Sequence, residues 1–286
     1  MNAKSRSAAA KGPSPDADLA ARTIDDFGDQ WLRYTDNEGY YGDIEMLADI
    51  LGPLLPISAL QGARVAEIGS GTGRIVQMLL RAGVAHVTAI EPSAAFAVLR
   101  ERLAGENRVT LVHGVGTEIS RERNLDFVLS IGVIHHIPEP DPVLRAAYQA
   151  LRPGGSLVIW VYGSEGGGSV LRLIKALRRV TTHLPHWILA PISHVLTFFL
   201  DLYIVACRAG LRLPLRDYVL NVVGRFPRSK RYLVVYDQLK PAFSKYYAAD
   251  EVRALIQRAG FSDVQLHLRH GYSWTAIGTK PPAASG

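Results

Sequence analysis

From Arg64 onward, short apolar runs alternate with amphipathic segments of helix length. The runs predict strands over Arg64 to Ile68, His86 to Ile90, Val109 to Val112, Leu125 to Ser130 and Ser156 to Tyr162. The gaps predict helices over Gly73 to Ala82, Ala94 to Ala104 and Pro142 to Leu151. This alternation builds βαβ units and a largely parallel sheet. Leu151-Arg152-Pro153-Gly154-Gly155 reads as a helix stop and a turn, because proline cannot continue a helix and glycine tolerates positive φ. Near the far end, Asp250 reads as the N-cap of a helix through Ala259 that stops at Gly260. Val264 to His270 and Ser273 to Thr279 then read as a hairpin completing the sheet.

Between Gly163 and Tyr247 the rhythm stops. Gly166-Gly167-Gly168 reads as a flexible link. In the helix predicted over Val170 to Thr181, Val170, Leu173, Ile174, Leu177 and Val180 share one face and Arg172, Lys175 and Arg179 the other. Trp187 to Cys207 is almost wholly apolar, interrupted by Pro191, His194 and Asp201. About 20 apolar residues could span a bilayer, but these interruptions argue against a span. Three readings of this insertion stay open: a helical lid over the substrate, which is preferred, a peripheral membrane contact through residues 166–212, and a homodimer interface.

Composition sharpens the division. The chain has 286 residues, enough for one α/β domain with an insertion: a tail over 1–21, a helical cap over 22–61, a core over 62–162, the insertion over 163–247 and a closing helix and hairpin over 248–280. The tail has no apolar h-region of a secretory signal, and the one cysteine, Cys207, supplies neither an internal disulfide nor a metal-ligand set; a cytoplasmic protein, membrane-associated if the insertion docks, is expected. Net charge is +6, yet residues 163–245 hold 13 Lys or Arg against 4 Asp or Glu, so the basic character belongs to the insertion.

The chemistry sits after the first strand, in Val65-Ala66-Glu67-Ile68-Gly69-Ser70-Gly71-Thr72-Gly73-Arg74. Glycines there let the backbone turn tightly and approach a ligand. Free N–H groups at the turn and the positive end of the next helix suit a carboxylate, while Glu67 suits an ammonium. A dinucleotide fingerprint would need glycine where Arg74 stands. Glu91-Pro92, 18 residues beyond Gly73, ends the second strand with a carboxylate placed to accept hydrogen bonds from two ribose hydroxyls.

Together these residues resemble the class I S-adenosylmethionine-dependent methyltransferases, as do Leu125-Asp126-Phe127-Val128-Leu129-Ser130 followed by Gly132-Val133-Ile134-His135-His136-Ile137, the Leu-x-Pro-Gly-Gly of 151–155 and Ala259-Gly260-Phe261. Thr23 to Trp31, Tyr40-Tyr41-Gly42, Lys245-Tyr246-Tyr247 and Tyr272-Ser273-Trp274 resemble a bacterial subgroup with an aromatic N-terminal cap. The resemblance implies a Rossmann-like α/β fold, a seven-stranded mostly parallel sheet in the order 3-2-1-4-5-7-6, and S-adenosylmethionine as cosubstrate, without metal. It assigns Glu67, Gly69, Ser70, Gly71 and Gly73 to the methionine end of the donor, Glu91 and Pro92 to the ribose, and Val115, Gly116 and Thr117 to the adenine. Many relatives carry aspartate where Val115 stands. Ser130 joins the donor set from the fourth strand.

Methyl transfer from a sulfonium is an in-line displacement, so a base is needed only where the nucleophile must lose a proton. His135 and His136 stand as base or substrate anchor, beside a structural reading in which they merely hold the loop. Tyr40 and Tyr41 stand as residues closing over the substrate. The acceptor expected is a small molecule, hydrophobic or lipid-like and, from the basic insertion, anionic. Nucleic acid is disfavoured, because Ser130-Ile131-Gly132-Val133 stands where base amino-methylating enzymes have Asn-Pro-Pro-Tyr, and Cys207 lacks the preceding proline of cytosine C5 enzymes. A non-catalytic scaffold or membrane-docking subunit is the remaining rival. It would be expected to lose the glycines or Glu91, and both stand.

Overall fold

The computed structural model describes residues 14–165 and 168–282. The first helix, α1 (Pro15–Arg33), opens on a Ser14 hydroxyl that accepts the Ala17 N–H at 3.2 Å, with proline at its first position and Asp16 and Asp18 in its first turn. The tail expected over 1–21 therefore ends earlier: residues 15–21 are helix, and 1–13 lie outside the described residues, as do Gly166 and Gly167 of the expected link. After α2 (Ile44–Leu51) come β1 (Arg64–Ile68), α3 (Arg74–Arg81), β2 (His86–Glu91), α4 (Phe96–Arg102), β3 (Val109–His113), β4 (Leu125–Ile131), α5 (Asp141–Ala150) and β5 (Leu151–Tyr162).

The insertion supplies α6 (Gly168–Thr181), α7 (His186–Arg208), α8 (Arg216–Asn221) and α9 (Arg228–Leu239), and α10 (Ala249–Arg258), β6 (Ser262–Arg269) and β7 (Ser273–Thr279) close the chain. The sheet order is β3-β2-β1-β4-β5-β7-β6, with β7 antiparallel to both neighbours. Its central strands are buried on both faces, which is why they read as continuous apolar runs. Val65, Val87, Leu129 and Val158 pack with Leu47, Leu79 and Leu99 of α2, α3 and α4. Ala66, Ile90, Val128 and Leu157 pack on the other side with Leu144 of α5 and Leu255 of α10.

Three local expectations need correction. The helix does stop before residues 151–155, but these already belong to β5: Leu125 pairs with Leu151 and Phe127 with Ser156, so the Pro-Gly-Gly residues bulge out of the strand, with Gly154 at φ 78°, instead of forming a turn ahead of it. Ala248, and not Asp250, occupies the N-cap of α10, where the Glu251 carboxylate reaches back to accept its N–H at 2.9 Å. In α6 the buried face is turned from the expected apolar one without being reversed: Val170, Ile174 and Leu177 are half-buried, and Arg172, Lys175 and Arg179 are exposed as expected. Leu173 and Val180 are exposed, whereas Leu171 and Thr181 are buried and Arg178 donates to the Gln238 and Pro241 carbonyls at 2.9 and 2.7 Å. The stripe through Leu171, Arg178 and Thr181 meets α9, because the guanidinium satisfies carbonyls at that helix end.

Gly73 caps α3 at φ 85°, and a Cβ there would stand 2.9 Å from Leu99 Cδ1 of α4. Its role is thus helix packing and left-handed backbone. Gly73→Ala should lower the unfolding free energy by about 1–3 kcal/mol in urea denaturation; an unchanged midpoint would contradict this.

Candidate functional site

At the carboxyl ends of β1, β2 and β4, where open α/β sheets gather ligands, lies a cavity of about 230 Å3. Its floor is Glu67 to Thr72, its sides include Glu91, Pro92 and Ser93, and α1 covers it with Thr23, Ile24, Phe27 and Trp31. Glu91 organises the loop. One of its oxygens accepts the Gly71 N–H at 2.7 Å and the other accepts the Ser93 N–H at 2.9 Å, so β2 holds the turn that follows β1. Gly69, at φ 79°, could carry no side chain, since its Cβ would meet Val133 Cγ2 at 2.4 Å.

Glu67 differs in kind. It is 1 % exposed, its Oε2 has no partner, and burial, with a smaller push from Glu91, raises its carboxyl to about 8. A buried acceptor aimed into a cavity without a donor suits a cationic ligand group.

The turn's N–H groups depart from expectation. Those of Gly69 and Ser70 donate to the Ile90 carbonyl at 2.8 and 3.0 Å, Gly71 to Glu91, and Gly73 to the Ser70 carbonyl at 2.8 Å. The glycine turn is therefore tied to β2 and to itself, and Arg74, which also lines the cavity, brings positive charge instead.

Of the other expected residues, Val115 and Gly116 line the cavity beside Ile68, Ile137 and Val143, while Thr117 does not. Nor do Gly73 and Ser130; the Ser130 hydroxyl is buried without a partner inside the sheet. The two histidines separate. His136 lines the cavity, and its Nδ1 donates to the Phe243 carbonyl at 2.8 Å, which leaves Nε2 as the unprotonated nitrogen. Burial lowers its pKa, so the ring is neutral near pH 7. His135 is fully buried among His136, Trp160 and Tyr162, lines neither cavity and has no partner at either nitrogen; burial, then the His136 beside it, holds it far below the ordinary histidine range.

The tyrosine pair separates likewise. Tyr41 lines the cavity, whereas Tyr40 turns away, stacked under the Arg225 guanidinium at 3.5 Å and bonded to Asp49 at 3.5 Å.

A second cavity, about 130 Å3, adjoins the first and shares Phe27, Trp31, Tyr41, Arg74, Ile131 and Gly132 with it. Its far wall is Trp160, Tyr162 and Tyr272 from the sheet side and Phe226, Leu233 and Asp237 from the end of the insertion. Asp237 accepts from Gln30 Nε2 at 3.0 Å and from the Tyr162 hydroxyl at 3.1 Å. Asp237 was not foreseen, whereas Phe27 and Trp31 belong to the segment expected as an aromatic N-terminal cap, and their four-residue spacing puts them on one helix face. No residue of α6 or α7 lines either cavity; the insertion, expected as a lid, reaches the second cavity through α8 and α9.

The methyltransferase-domain family model matches residues 66–159, the β1-to-β5 core around these cavities. The chain carries a class I methyltransferase domain. Among similar proteins is the ubiquinone biosynthesis O-methyltransferase of Xanthomonas campestris pv. campestris, 32% identical over 124 residues, 41% of this chain and 51% of that one. Another is the tRNA U34 carboxymethyltransferase of a Shewanella species, 36% identical over 107 residues, 36% of this chain and 32% of that one. The chain thus spans about half or less of the length of these relatives. An O-methyltransferase family protein from Burkholderia thailandensis shares the fold, with a TM-score of 0.52, 13% identity, and coverage of 90% of this chain and 59% of that one.

Within the methyltransferase domain, His135→Leu should change stability by at most about 1 kcal/mol, because its nitrogens leave no partner stranded. Thermal unfolding and donor titration check this; a loss of donor affinity would return His135 to the site.

Proposed function

We propose that the chain transfers a methyl group from S-adenosylmethionine to a small, hydrophobic acceptor, lipid-like or aromatic, held in the second cavity. The observation that carries this reading is the adjacency of the two cavities: one has a buried, partnerless carboxylate and a glycine turn, the other aromatic walls, and they share six residues. S-adenosylmethionine supplies an electrophilic methyl group on a sulfonium. Glu67 would hold its ammonium, Glu91 its ribose through the lone pair left on Oε2, since Oε1 already accepts both the N–H and the hydroxyl of Ser93, and the slot of Ile68, Val115, Gly116 and Val143 its adenine. His136, neutral, with Nε2 unprotonated and lining the first cavity, would take the proton of an acceptor hydroxyl that reaches in from the second, as that oxygen bonds the methyl carbon and the sulfonium sulfur leaves with the pair of the broken bond as a neutral thioether.

The anionic character expected of the acceptor can no longer rest on the basic residues of the insertion. Arg172, Lys175, Arg179, Arg208, Arg212 and Arg216 line neither cavity, and of the two arginines that do, Arg269 is paired with Asp49 while Arg74 lies over the Tyr41 ring at 4.3 Å. The same placement disfavours a nucleic acid, whose phosphates need a basic surface leading to the site.

The Glu67 assignment fixes a pH dependence. Below about 8 the free carboxyl is protonated, and an ammonium binds its ionised form, so binding expels a proton. Donor affinity should rise by up to about tenfold per pH unit as pH approaches 8, then fall as an α-amine of ordinary pKa near ~8 loses its charge. Calorimetry in buffers of different ionisation enthalpy reads the released proton; flat affinity from about pH 6 to 8 would remove Glu67 from the ammonium site.

The acceptor class is tested by incubating the protein with methyl-labelled donor and a cell extract. Label is expected in the organic phase; label in RNA would overturn the small-molecule reading. On the acceptor so found, His136→Ala should lower kcat by about 10²–10⁴-fold with donor binding retained. Wild-type turnover should hold down to the ordinary histidine range and fall only below it, because burial lowers the His136 pKa.

A further inference from the structure

Helix α7 is built inside out for a helix packed on a soluble body. Its buried stripe, Leu189, Ser193, Thr197, Ile204 and Cys207, includes small and polar residues. Thr197 satisfies its hydroxyl on the Ser193 carbonyl at 2.7 Å, and Asp201 at the edge is bonded to Arg231 at 2.8 Å and Arg228 at 3.2 Å. The opposite stripe holds the large apolar side chains. Trp187 is 75 % exposed, Phe199 58 % and Val205 60 %, with Val195, Phe198 and Leu202 exposed between them. From residue 187 to 205 this stripe runs ~27 Å without a formal charge. Exposed apolar area on this scale, in one continuous line, marks an interaction surface.

The charges around the stripe select the occupant. Residues 168–216 hold seven Lys or Arg and one acid, Asp201, which is already paired. Leu211 continues the exposed apolar line, and Arg212 and Arg216 follow α7 directly, both exposed and in no ion pair among the described residues. A second copy of the chain would bring like charge against like. An anionic bilayer complements both features, with Trp187 and the phenylalanines in the acyl boundary and the arginines at the phosphates.

We propose that the outward face of α7 docks the protein on anionic lipid bilayers, with the helix lying in the interface plane. It lies on the bilayer and does not span it, because Leu189 on its inner face packs with Tyr232, Tyr236 and Leu239 of α9, and Asp201 stays tied to the same helix.

Flotation of the full chain with phosphatidylcholine vesicles, with and without phosphatidylglycerol, tests this. Binding is expected only with phosphatidylglycerol and should weaken as salt rises. The triple variant Trp187→Ser, Phe198→Ser, Phe199→Ser should lose vesicle binding while keeping its melting temperature and donor affinity. Arg212→Gln with Arg216→Gln should weaken vesicle binding on the order of 30-fold. The proposal is overturned if the wild-type chain ignores anionic vesicles or if neither variant weakens binding. A wild-type dimer in sedimentation velocity that the triple variant dissociates would overturn it too, and would give the face to a second copy.

Discussion

The Glu91 carboxylate at the end of β2 is the contact on which the geometry of the site depends. It takes the N–H of Gly71 from the turn after β1 and the N–H of Ser93 from its own turn, so two adjacent strand ends are locked into one edge. Both turns lie where parallel strands run out of partners, and an ionised acceptor there satisfies backbone donors that would otherwise be buried and unpaired. With the loop pinned in this way, Glu67 is left facing the cavity without a partner, and its raised pKa follows from burial in a wall whose other polar groups are already engaged.

The second dependence runs through α1. This helix roofs the first cavity, yet its polar contacts go to α9 and the segment just after it: Gln30 donates to Asp237, Lys240 pairs with Asp26 at 2.7 Å, and the Ala242 N–H reaches Asp26 at 2.9 Å. The insertion therefore supplies the far wall of one cavity and holds the cover of the other. Asp237 carries both functions at once, because its second oxygen accepts the Tyr162 hydroxyl on β5. Tyr162 in turn stacks on Tyr246 and touches Tyr272, so the sheet, the insertion and the closing hairpin meet in one aromatic cluster. Such a cluster gives a rigid, apolar chamber with hydroxyls already bonded to Asp237 and Gln238.

The outer half of the insertion follows other rules. Helices α6 and α7 both pack on α9, and each does so with a stripe that contains polar or charged side chains: Arg178 and Thr181 in α6, Ser193 and Thr197 in α7. Arg178, Thr181 and Thr197 are tolerated inside because each donates to a carbonyl, while the buried Ser193 hydroxyl has no partner among the described residues; in α7 the larger apolar side chains then remain outside. The cost of exposing them to water is what makes the face a surface for a partner of low polarity.

Sequence alone determined the parts governed by local physics. Apolar runs of strand length, the glycines at positions 69, 71 and 73, and carboxylates at two strand ends specified a parallel sheet with a ligand cradle, because strand period, positive φ and buried charge leave readable residue types. Within that cradle the sequence could not separate Glu67, whose Oε2 has no partner, from Glu91, which already holds Gly71 and Ser93, nor His136, which faces the cavity, from His135, which is walled off by aromatic rings. It was silent on Asp237, some 170 residues from Glu67 in the chain and brought to the chamber only by packing of α9. In α6 it grouped Leu173 and Val180 with Ile174 and Leu177, yet only the latter two are half-buried and the former are exposed. An amphipathic pattern states that a helix has two faces, but how far the buried one is turned is decided by where its hydrogen-bonding partners stand, and those belong to the tertiary structure.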